Sequence, residues 1–495
     1  MSFDLDQLLA SHRGSARSLH SEHVNPKWMH ALKLIGFDHE YVRGESQYLW
    51  DANGNRYLDM IGGYAVCNVG RNHPVIRKAL TDFLASQTPS MVQFDASILP
   101  GLLARHLKGR VGRDLDRVFF TNSGTEGIEA AIKFSRCATG KPEMLYEKGA
   151  FHGLSTGALA MNGCESFRSG FEPHPKDFRA LPFNDLVALE RELSRGDVAG
   201  FVVEPIQGKG VNMHSYGFLA KASALCHRYG ALFVVDEVQT GIGRTGSFLA
   251  IDQEGAVEAD IIVLSKGLSG GYVPVGAVMT KTSVWEKVFS RLDRAIVHSS
   301  TFHMSGLAMV AGLATLSVLE NERLAENATQ TGALLRNGLE AMKPRFELLG
   351  AIRQRGLMIG IEFAKPRSPT LRMAWRMIHA LDVNLFTQAV TIPLMQDHKI
   401  LSQVAGHGIP VLKLTPPLTI DADDVRHFLS AFEKTMLGIH RFHGPAWDAL
   451  RRIAINSLRP RNAAPKVEQE SDPQQAAAEW LGVAETTEQH TDNRK

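Results

Sequence analysis

Two charged residues able to carry out chemistry follow two apolar segments in the middle of the 495-residue chain. Asp236 follows the segment ALFVV, and Lys266 follows IIVLS. Unbroken β-branched segments of this length predict strands buried on both faces, as in a parallel sheet. Ligands bind beyond the carboxyl ends of such strands, so we expect the carboxylate and the amine to face one crevice. Pyridoxal 5'-phosphate (PLP) requires this pair: a lysine that forms a Schiff base with its aldehyde, and a carboxylate that keeps its ring nitrogen protonated.

Each of the two residues also has an interpretation without a ligand. A lysine after an apolar segment is usually a solvated strand end, and an aspartate there often caps the next helix. The complete strings DEVQTGIGRTG and SKGLSGGYVPVGAV carry more information. They closely resemble the signature of class III PLP-dependent aminotransferases, the fold type I group of ornithine, acetylornithine and ω-aminotransferases. The resemblance covers roughly Val42 to Ile439. It implies an α/β fold, with a mostly parallel central sheet in a large domain plus a smaller α+β domain.

A second stretch, RVFFTNSGTEGIEAAIKF, predicts a strand, a tight turn and the start of an amphipathic helix. The N-terminus of a helix binds anions through its free N–H groups. A capping box between Ser123 and Glu126 would explain the same residues without any ligand. The motif SGTEG resembles the phosphate-binding turn of the family, and this implies that Ser123, Gly124 and Thr125 hold the cofactor phosphate.

The resemblance assigns further cofactor contacts along the chain. Phe151, in the motif FHG, would stack on the pyridine ring with His152 beside it, although a core phenylalanine is the simpler interpretation. Thr301 would reach the phosphate of a neighbouring subunit, which implies a homodimer with shared active sites. A threonine whose hydroxyl is satisfied by backbone is the alternative there. The remaining implied contacts are Glu204 near the ring, Val238 on its other face and Gln239 near its hydroxyl group.

The chain departs from the ornithine-type members at three positions that recognise substrate. Leu154 replaces an arginine after FHG, Lys209 replaces a gating glutamate after EPIQG, and Lys413 replaces an arginine before PPL. Lysines offer point charges and not bidentate forks, and surface solubility explains both of them equally well. Tyr64 matches a substrate-facing tyrosine, with a core tyrosine as the alternative. We therefore expect an apolar or bulky aldehyde or ketone as amino acceptor, and not an ordinary diamino-acid semialdehyde.

The implied function is transfer of an amino group from an amino acid or amine to an aldehyde, ketone or 2-oxo acid by a ping-pong mechanism. Lys266 would act both as Schiff-base lysine and as proton shuttle. A PLP-dependent aminomutase or racemase of the same family would use the same Lys266 and Asp236. A non-catalytic relative that binds a partner is a third interpretation. His303 stands where the family often has glycine, and the sequence offers no account of it.

Composition excludes several other classes of function. A net charge of +2 gives no footprint for nucleic acid or an anionic membrane. Four scattered cysteines without a CxxC pair predict no zinc or other metal site and no disulfide framework, and we expect reduced thiols in a cytoplasmic enzyme. The sequence contains no apolar run of about 18 residues, so no membrane span is predicted. No GxGxxG motif follows a strand, so a nucleotide-dependent oxidoreductase is not supported.

The elements that must position these residues alternate between apolar strands and helices, which is typical of βαβ units and a parallel sheet. Around the turn DANGN, alternating polar and apolar residues predict a small antiparallel meander. We expect an N-terminal arm with part of the small domain at 1–90, a large PLP-binding domain at 91–332 and a C-terminal small domain at 333–440. Residues 441–495 are predicted to form an extra helix and a disordered tail rich in Pro, Gln, Glu, Asp and Ala.

Overall fold

The N-terminal region consists of short helices and an antiparallel meander. Helices α1 (Leu5–Ser11), α2 (Ala16–His23) and α3 (Pro26–Ile35) precede strands β1 (Tyr41–Glu45), β2 (Tyr48–Asp51) and β3 (Arg56–Asp59). The turn between β2 and β3 is stabilised because the carboxylate of Asp51 accepts hydrogen bonds from the N–H groups of Asn53 and Asn55. The predicted meander around DANGN is therefore confirmed. Helices α4 (Gly62–Ala65), α5 (Pro74–Ala85) and α6 (Ile98–Val111) follow.

The computed structural model describes residues 3–92, 94–369, 371–373, 375–376, 384–406 and 408–440. These residues belong to one compact unit, Met1–Ile453. The extra helix and tail predicted at 441–495 lie outside the described residues.

A seven-stranded sheet forms the centre of the molecule. The strands after α6 are β4 (Arg117–Thr121), β5 (Glu143–Glu147), β6 (Phe178–Leu181), β7 (Val198–Val203), β8 (Ile206–Gln207), β9 (Asn212–Met213), β10 (Leu232–Asp236), β11 (Ile261–Leu264) and β12 (Gly276–Thr280). The sheet has the order β4-β12-β11-β10-β7-β5-β6, and β8 and β9 form a separate short hairpin. Within the sheet, β12 runs antiparallel to both of its neighbours, whereas the other pairs are parallel. The predicted mostly parallel sheet is confirmed.

Both faces of this sheet are buried, which explains why its strands are apolar without alternation. Adjacent residues Val234 and Val235 are fully buried in two different hydrophobic clusters, one on each face. Helices that connect or cover the strands are α7 (Gly124–Thr139), α8 (Thr156–Ala160), α9 (Glu165–Arg168), α10 (Leu186–Leu193), α11 (Phe218–Arg228) and α12 (Thr282–Val288). Helix α7 packs through Ile128 and Phe134 into the same cluster as Val234. This packing fixes the N-terminus of α7 beside the carboxyl ends of the central strands.

The C-terminal region adds a second sheet. Its elements are α13 (Gly306–Asn321), α14 (Leu324–Met342), β13 (Leu349–Arg355), β14 (Met358–Phe363), α15 (Asn384–Gln396), β15 (Ile400–Leu401), β16 (Gln403–Val404), β17 (Val411–Leu414) and α16 (Ala422–His440). An antiparallel sheet has the order β13-β14-β17-β16, while β15 pairs with β3 of the N-terminal meander. The division into domains stays a prediction, and its boundary after residue 332 falls inside α14.

Candidate active site

Three charged residues meet where neighbouring strands of the central sheet end. Asp236 is the last residue of β10 and pairs with Val263 of β11, one residue before the end of that strand. Lys266 lies just beyond β11, and Glu204 directly follows β7, the other neighbour of β10. All three side chains line one cavity of about 580 Å³. This volume is within the range of small-molecule sites, so the carboxylates and the amine meet as expected.

The carboxylate of Asp236 is held from two directions. Its Oδ2 atom lies 2.8 Å from Nδ1 of His152, and its Oδ1 atom accepts a hydrogen bond from the N–H of Val238 at 3.0 Å. Burial acts to lower the pKa of His152, but the hydrogen bond and the charge of Asp236 raise it above its ordinary value. We assign the proton to Nδ1, because an ionised carboxylate only accepts hydrogen bonds. Nε2 of His152 is buried without a partner in the part of the chain that the structure describes.

Glu204 connects two loops that border the cavity. Its Oε1 atom accepts a hydrogen bond from the N–H of Phe151 at 2.9 Å, and its Oε2 atom accepts one from the N–H of Gly208 at 2.7 Å. Burial raises the pKa of Glu204, His152 opposes this shift, and the nearby charge of Asp236 adds to it. The side chain therefore fixes the Phe151 loop as well as contributing a carboxylate to the cavity.

Lys266 is held in an unusual backbone conformation. Its φ angle is +36°, in the left-handed region that non-glycine residues rarely adopt, and it begins a short 3₁₀ turn, Lys266–Ser269. The hydroxyl of Ser265, the residue before Lys266, donates a hydrogen bond to the carbonyl oxygen of Val275 at 2.8 Å. Burial lowers the pKa of Lys266, and the charges of Asp236 and Glu204 offset part of this shift. Strained conformations of this kind cluster at functional sites, since the surrounding structure must hold them in place.

The N-terminus of the 16-residue helix α7 opens into the same cavity. The hydroxyl of Ser123 accepts a hydrogen bond from the N–H of Glu126 at 3.2 Å, while the Glu126 carboxylate accepts the N–H of Asn122 at 2.8 Å. The capping interaction predicted as an alternative is therefore partly present. The first N–H groups of the helix, at Gly124 and Thr125, have no acceptor within the helix. These groups and the positive end of the helix dipole can bind an anion.

The described residues fit PLP by the chemistry of their groups. An acid, Asp236, faces the same space as an amine, Lys266, and a helix N-terminus suited to a phosphate. Phe151 and Val238 line the cavity and can contact a planar ring, and Gln239 adds a polar side chain. The predicted cofactor residues that line the cavity are Ser123, Gly124, Thr125, Phe151, His152, Glu204, Asp236, Val238, Gln239 and Lys266.

The predicted substrate residues are arranged differently. Among the described residues, Leu154 lines the cavity, whereas Tyr64, Lys209 and Lys413 do not. Tyr64 is 57% exposed, which contradicts the alternative of a core tyrosine, and its backbone carbonyl accepts a hydrogen bond from the side-chain amide of Gln239 at 3.3 Å. Lys413 is buried, so surface solubility does not explain it. Its Nζ atom donates to the carbonyl oxygen of Gly208 at 2.9 Å, and burial lowers its pKa to about 7.

Thr301 lies outside the cavity on an exposed segment that is anchored to the start of α7. The amide of Asn122 donates to the hydroxyl of Ser300 at 2.9 Å. His303 stacks on Phe119, with ring centroids 5.4 Å apart and an angle of 10° between the planes. This contact gives His303 a packing role that the sequence did not suggest.

The sequence interpretation missed two polar residues beside the anion-binding turn. Ser155 lies with its hydroxyl 2.5 Å from the hydroxyl of Thr125, and its N–H donates to the same oxygen at 3.1 Å. Asn122 lines the cavity next to Ser123. The string TNSGTEG contained a signal for Asn122. Ser155 is 30 residues from Thr125, and only the folded chain brings the two together.

Comparison with known proteins agrees with this geometry. Residues 36–436 match the family Aminotransferase class-III. The chain is 33% identical over 466 residues to the Aminotransferase PigE of Serratia sp. (strain ATCC 39006), an alignment that covers 86% of this chain and 54% of that protein. The chain thus spans about half the length of this curated relative.

Solved structures give the same result. Two crystal structures of the ornithine aminotransferase from Toxoplasma gondii are 26% identical to the chain, with TM-scores of 0.76 and 0.75. They cover 90% and 89% of this chain and 100% and 99% of theirs. A thermostable (S)-enantioselective omega-transaminase from Thermomicrobium roseum is 28% identical, with a TM-score of 0.74, and the match covers 89% of this chain and 100% of that one.

The fold and the family match define a fold type I enzyme scaffold, and the chain belongs to the class III aminotransferase family. Class III aminotransferases use PLP, and one of the Toxoplasma gondii structures has partial occupancy of PLP at its active site. These relatives are named as aminotransferases or transaminases, so the aminomutase or racemase alternative is not favoured. Among the described residues, no helix is both long and apolar enough to cross a membrane.

Proposed function

We propose that the protein is a PLP-dependent aminotransferase in which Lys266 binds the cofactor covalently and shuttles protons, while Asp236 binds the ring nitrogen. The observation that carries this proposal is the convergence of Lys266, Asp236 and the N-terminus of α7 on one cavity. When bound, PLP supplies an aldehyde that reacts with amines and a ring that withdraws electrons from the substrate carbon. The proposed phosphate site consists of Ser123, Gly124 and Thr125.

The protein residues have distinct proposed roles in this reaction. Because burial lowers the pKa of Lys266, a larger fraction of its amine is neutral at a given pH and can accept a proton at Nζ. His152 holds Asp236 in one orientation through the 2.8 Å contact between Nδ1 and Oδ2. We further propose that Phe151 and Val238 pack on the two faces of the ring, and that Glu204 and Gln239 lie near its polar edge.

The proposed amino acceptor is an aldehyde or ketone without a distal carboxylate, with 2-oxo acids as a second class. Leu154 supports this proposal, since it is 52% exposed and offers an apolar surface where related enzymes have an arginine. Lys209 and Lys413 both have partners inside the protein. Among the described residues that line the cavity, Lys266 is the only lysine or arginine. A carboxylate fork is therefore missing from that part of the wall.

We also propose a homodimer in which Thr301 contributes to the neighbouring subunit's phosphate site. Exposed apolar side chains flank this residue, with Phe302 62% and Met304 45% exposed, and such surfaces mark contacts with a partner. A cytoplasmic location is supported by the free cysteines Cys67, Cys137, Cys164 and Cys226. Sedimentation of the purified protein should give the mass of two chains, and a monomer that binds PLP at full strength would contradict the shared site.

Profiling of donors and acceptors tests the proposed reaction. We expect an amino donor to convert the absorbance of bound PLP to that of its amino form, and an apolar aldehyde to restore it with release of a new amine. Isomerisation of one amino acid without this exchange would identify an aminomutase or racemase. Ornithine or acetylornithine with 2-oxoglutarate as by far the best pair would contradict the proposed acceptor class.

A further inference from the structure

We propose that Lys209 is a positioning residue whose ammonium group fixes the ring of Phe151 at the cofactor cavity, and that it does not bind a substrate carboxylate. This inference rests on the proposed function, because Phe151 is the ring expected to stack on PLP. It gives Lys209 a role within the protein at the position where the resemblance to ornithine-type members implies a glutamate that gates an arginine.

The ammonium group lies between two aromatic rings. Nζ of Lys209 is 3.8 Å from the ring centroid of Phe167 and 4.9 Å from that of Phe151. The two rings are themselves in edge-to-face contact, with centroids 5.6 Å apart and planes at 73°. A cation within about 6 Å of a ring centroid is attracted by the negative face of the ring. Lys209 therefore links Phe151, which lines the cavity, to Phe167.

The backbone holds this contact in place. The two oxygens of Glu204 accept hydrogen bonds from the N–H groups of Phe151 and Gly208, at 2.9 and 2.7 Å. Gly208 directly precedes Lys209, and its carbonyl oxygen accepts a hydrogen bond from Nζ of Lys413 at 2.9 Å. One carboxylate thus joins the loop that carries Phe151 to the loop that carries Lys209. The contact between the side chains of Lys209 and Phe151 joins the same two loops a second time.

The remaining contacts of Lys209 also point inward. Its Nζ atom donates to Oδ1 of Asn162 at 3.5 Å, and the Asn162 side chain is fully buried. Burial lowers the pKa of Lys209. A substrate carboxylate would have to compete with both rings and with Asn162 for this ammonium group. Lys209 is also absent from the described residues that line the cavity, so its charge is placed to orient Phe151.

Cofactor binding by full-length variants tests the proposal without relying on turnover. Lys209→Met keeps a long side chain but removes the charge, so we expect the dissociation constant of PLP to rise about 3- to 10-fold. Lys209→Arg retains a cation over the rings and should remain within about twofold of wild type. Lys221→Met, at an exposed position on α11, is the matched control. The KM for a 2-oxo acid should change by less than about twofold in Lys209→Met, since no substrate contact is lost.

A second variant separates the interaction from general damage to the fold. If Lys209 acts through the ring of Phe151, its substitution by Met should have little further effect on PLP affinity in a Phe151→Leu background. A full effect in that background would overturn the proposal. So would unchanged PLP affinity in Lys209→Met, and a raised KM for the 2-oxo acid would then assign Lys209 to the substrate instead. Failure of the wild-type chain to bind PLP would overturn the proposed function itself, a result distinguishable from both.

Discussion

Two groups of residues around the cavity differ in whether their charged side chains face it. The cofactor side consists of residues in or after strands of the central sheet, namely His152, Glu204, Asp236 and Lys266. The substrate side consists of residues in helix α4, in loops and in strand β17 of the second sheet, namely Tyr64, Leu154, Lys209 and Lys413. On the cofactor side, every charged group faces the cavity and matches the family strings. On the substrate side, the charged groups are turned into the protein. This difference supports two proposals made above: the cofactor chemistry of the family is retained, and the amino acceptor differs from that of the ornithine-type enzymes.

Removal of the amine of Lys266 is expected to give the largest effect. Lys266→Ala should lower the rate of amino transfer by about 10³-fold or more, because both the covalent attachment and the proton carrier are lost. Steady-state kinetics with the best donor checks this expectation. Lys221→Ala serves as the control, and a Lys266→Ala protein with near wild-type kcat would place the chemistry elsewhere.

Neutralising the acid of the cofactor side should give the next largest effect. Asp236→Asn has almost the same size but cannot stabilise a protonated ring nitrogen, so kcat should fall about 10²- to 10³-fold. The protein should still fold and bind PLP, as absorbance and melting measurements will show. A variant that loses less than about threefold in kcat would remove Asp236 from the proposed mechanism.

A substitution on the substrate side should change selectivity and leave the chemistry intact. Leu154→Arg adds a guanidinium group to the cavity wall, so we expect the KM for 2-oxoglutarate to fall about tenfold, which corresponds to one charged hydrogen bond. Activity with an apolar aldehyde should fall at the same time. Leu154→Met is the control of similar volume. If neither the KM for 2-oxoglutarate nor the activity with the apolar aldehyde changes, Leu154 does not select the acceptor.

The smallest expected effect is on stability and comes from Lys413. Its pKa of about 7 in the folded protein lies below the ordinary value of 10.5. Between these two values the unfolded chain binds more protons, so this lysine makes the folded protein more stable as the pH rises. Below about pH 7 the penalty for burying the amine is at its maximum. We expect Lys413→Met to flatten the rise in Tm between pH 7 and 10, as thermal denaturation at several pH values will show; an identical slope would contradict the burial of a neutral amine.

The contrast between the two sides also separates what the sequence predicts from what it does not. Asp236 and Lys266 follow apolar segments whose pattern can be read from the local sequence, and the order of parallel strands brings the ends of these segments together. The position of Ser123 at a helix start is equally local.

Other features depend on contacts distant in the chain. The partner of Lys413 is 205 residues away, so an apolar strand with one lysine gave no sign of burial. The two rings around Lys209 likewise come from separate elements, the loop that carries Phe151 and helix α9, which carries Phe167. The left-handed turn at Tyr64, with φ of +62°, was signalled only by the two preceding glycines.

Chemical trapping of the cofactor on the wild-type protein shows which lysine binds PLP covalently. Borohydride treatment of the PLP-bound protein, followed by proteolysis and mass spectrometry of the peptides, should locate a pyridoxyl group on Lys266 and on no other lysine. The same treatment of Lys266→Ala should leave no adduct. A pyridoxyl group on Lys209, Lys413 or a surface lysine, or no adduct in the wild-type protein, would contradict the account.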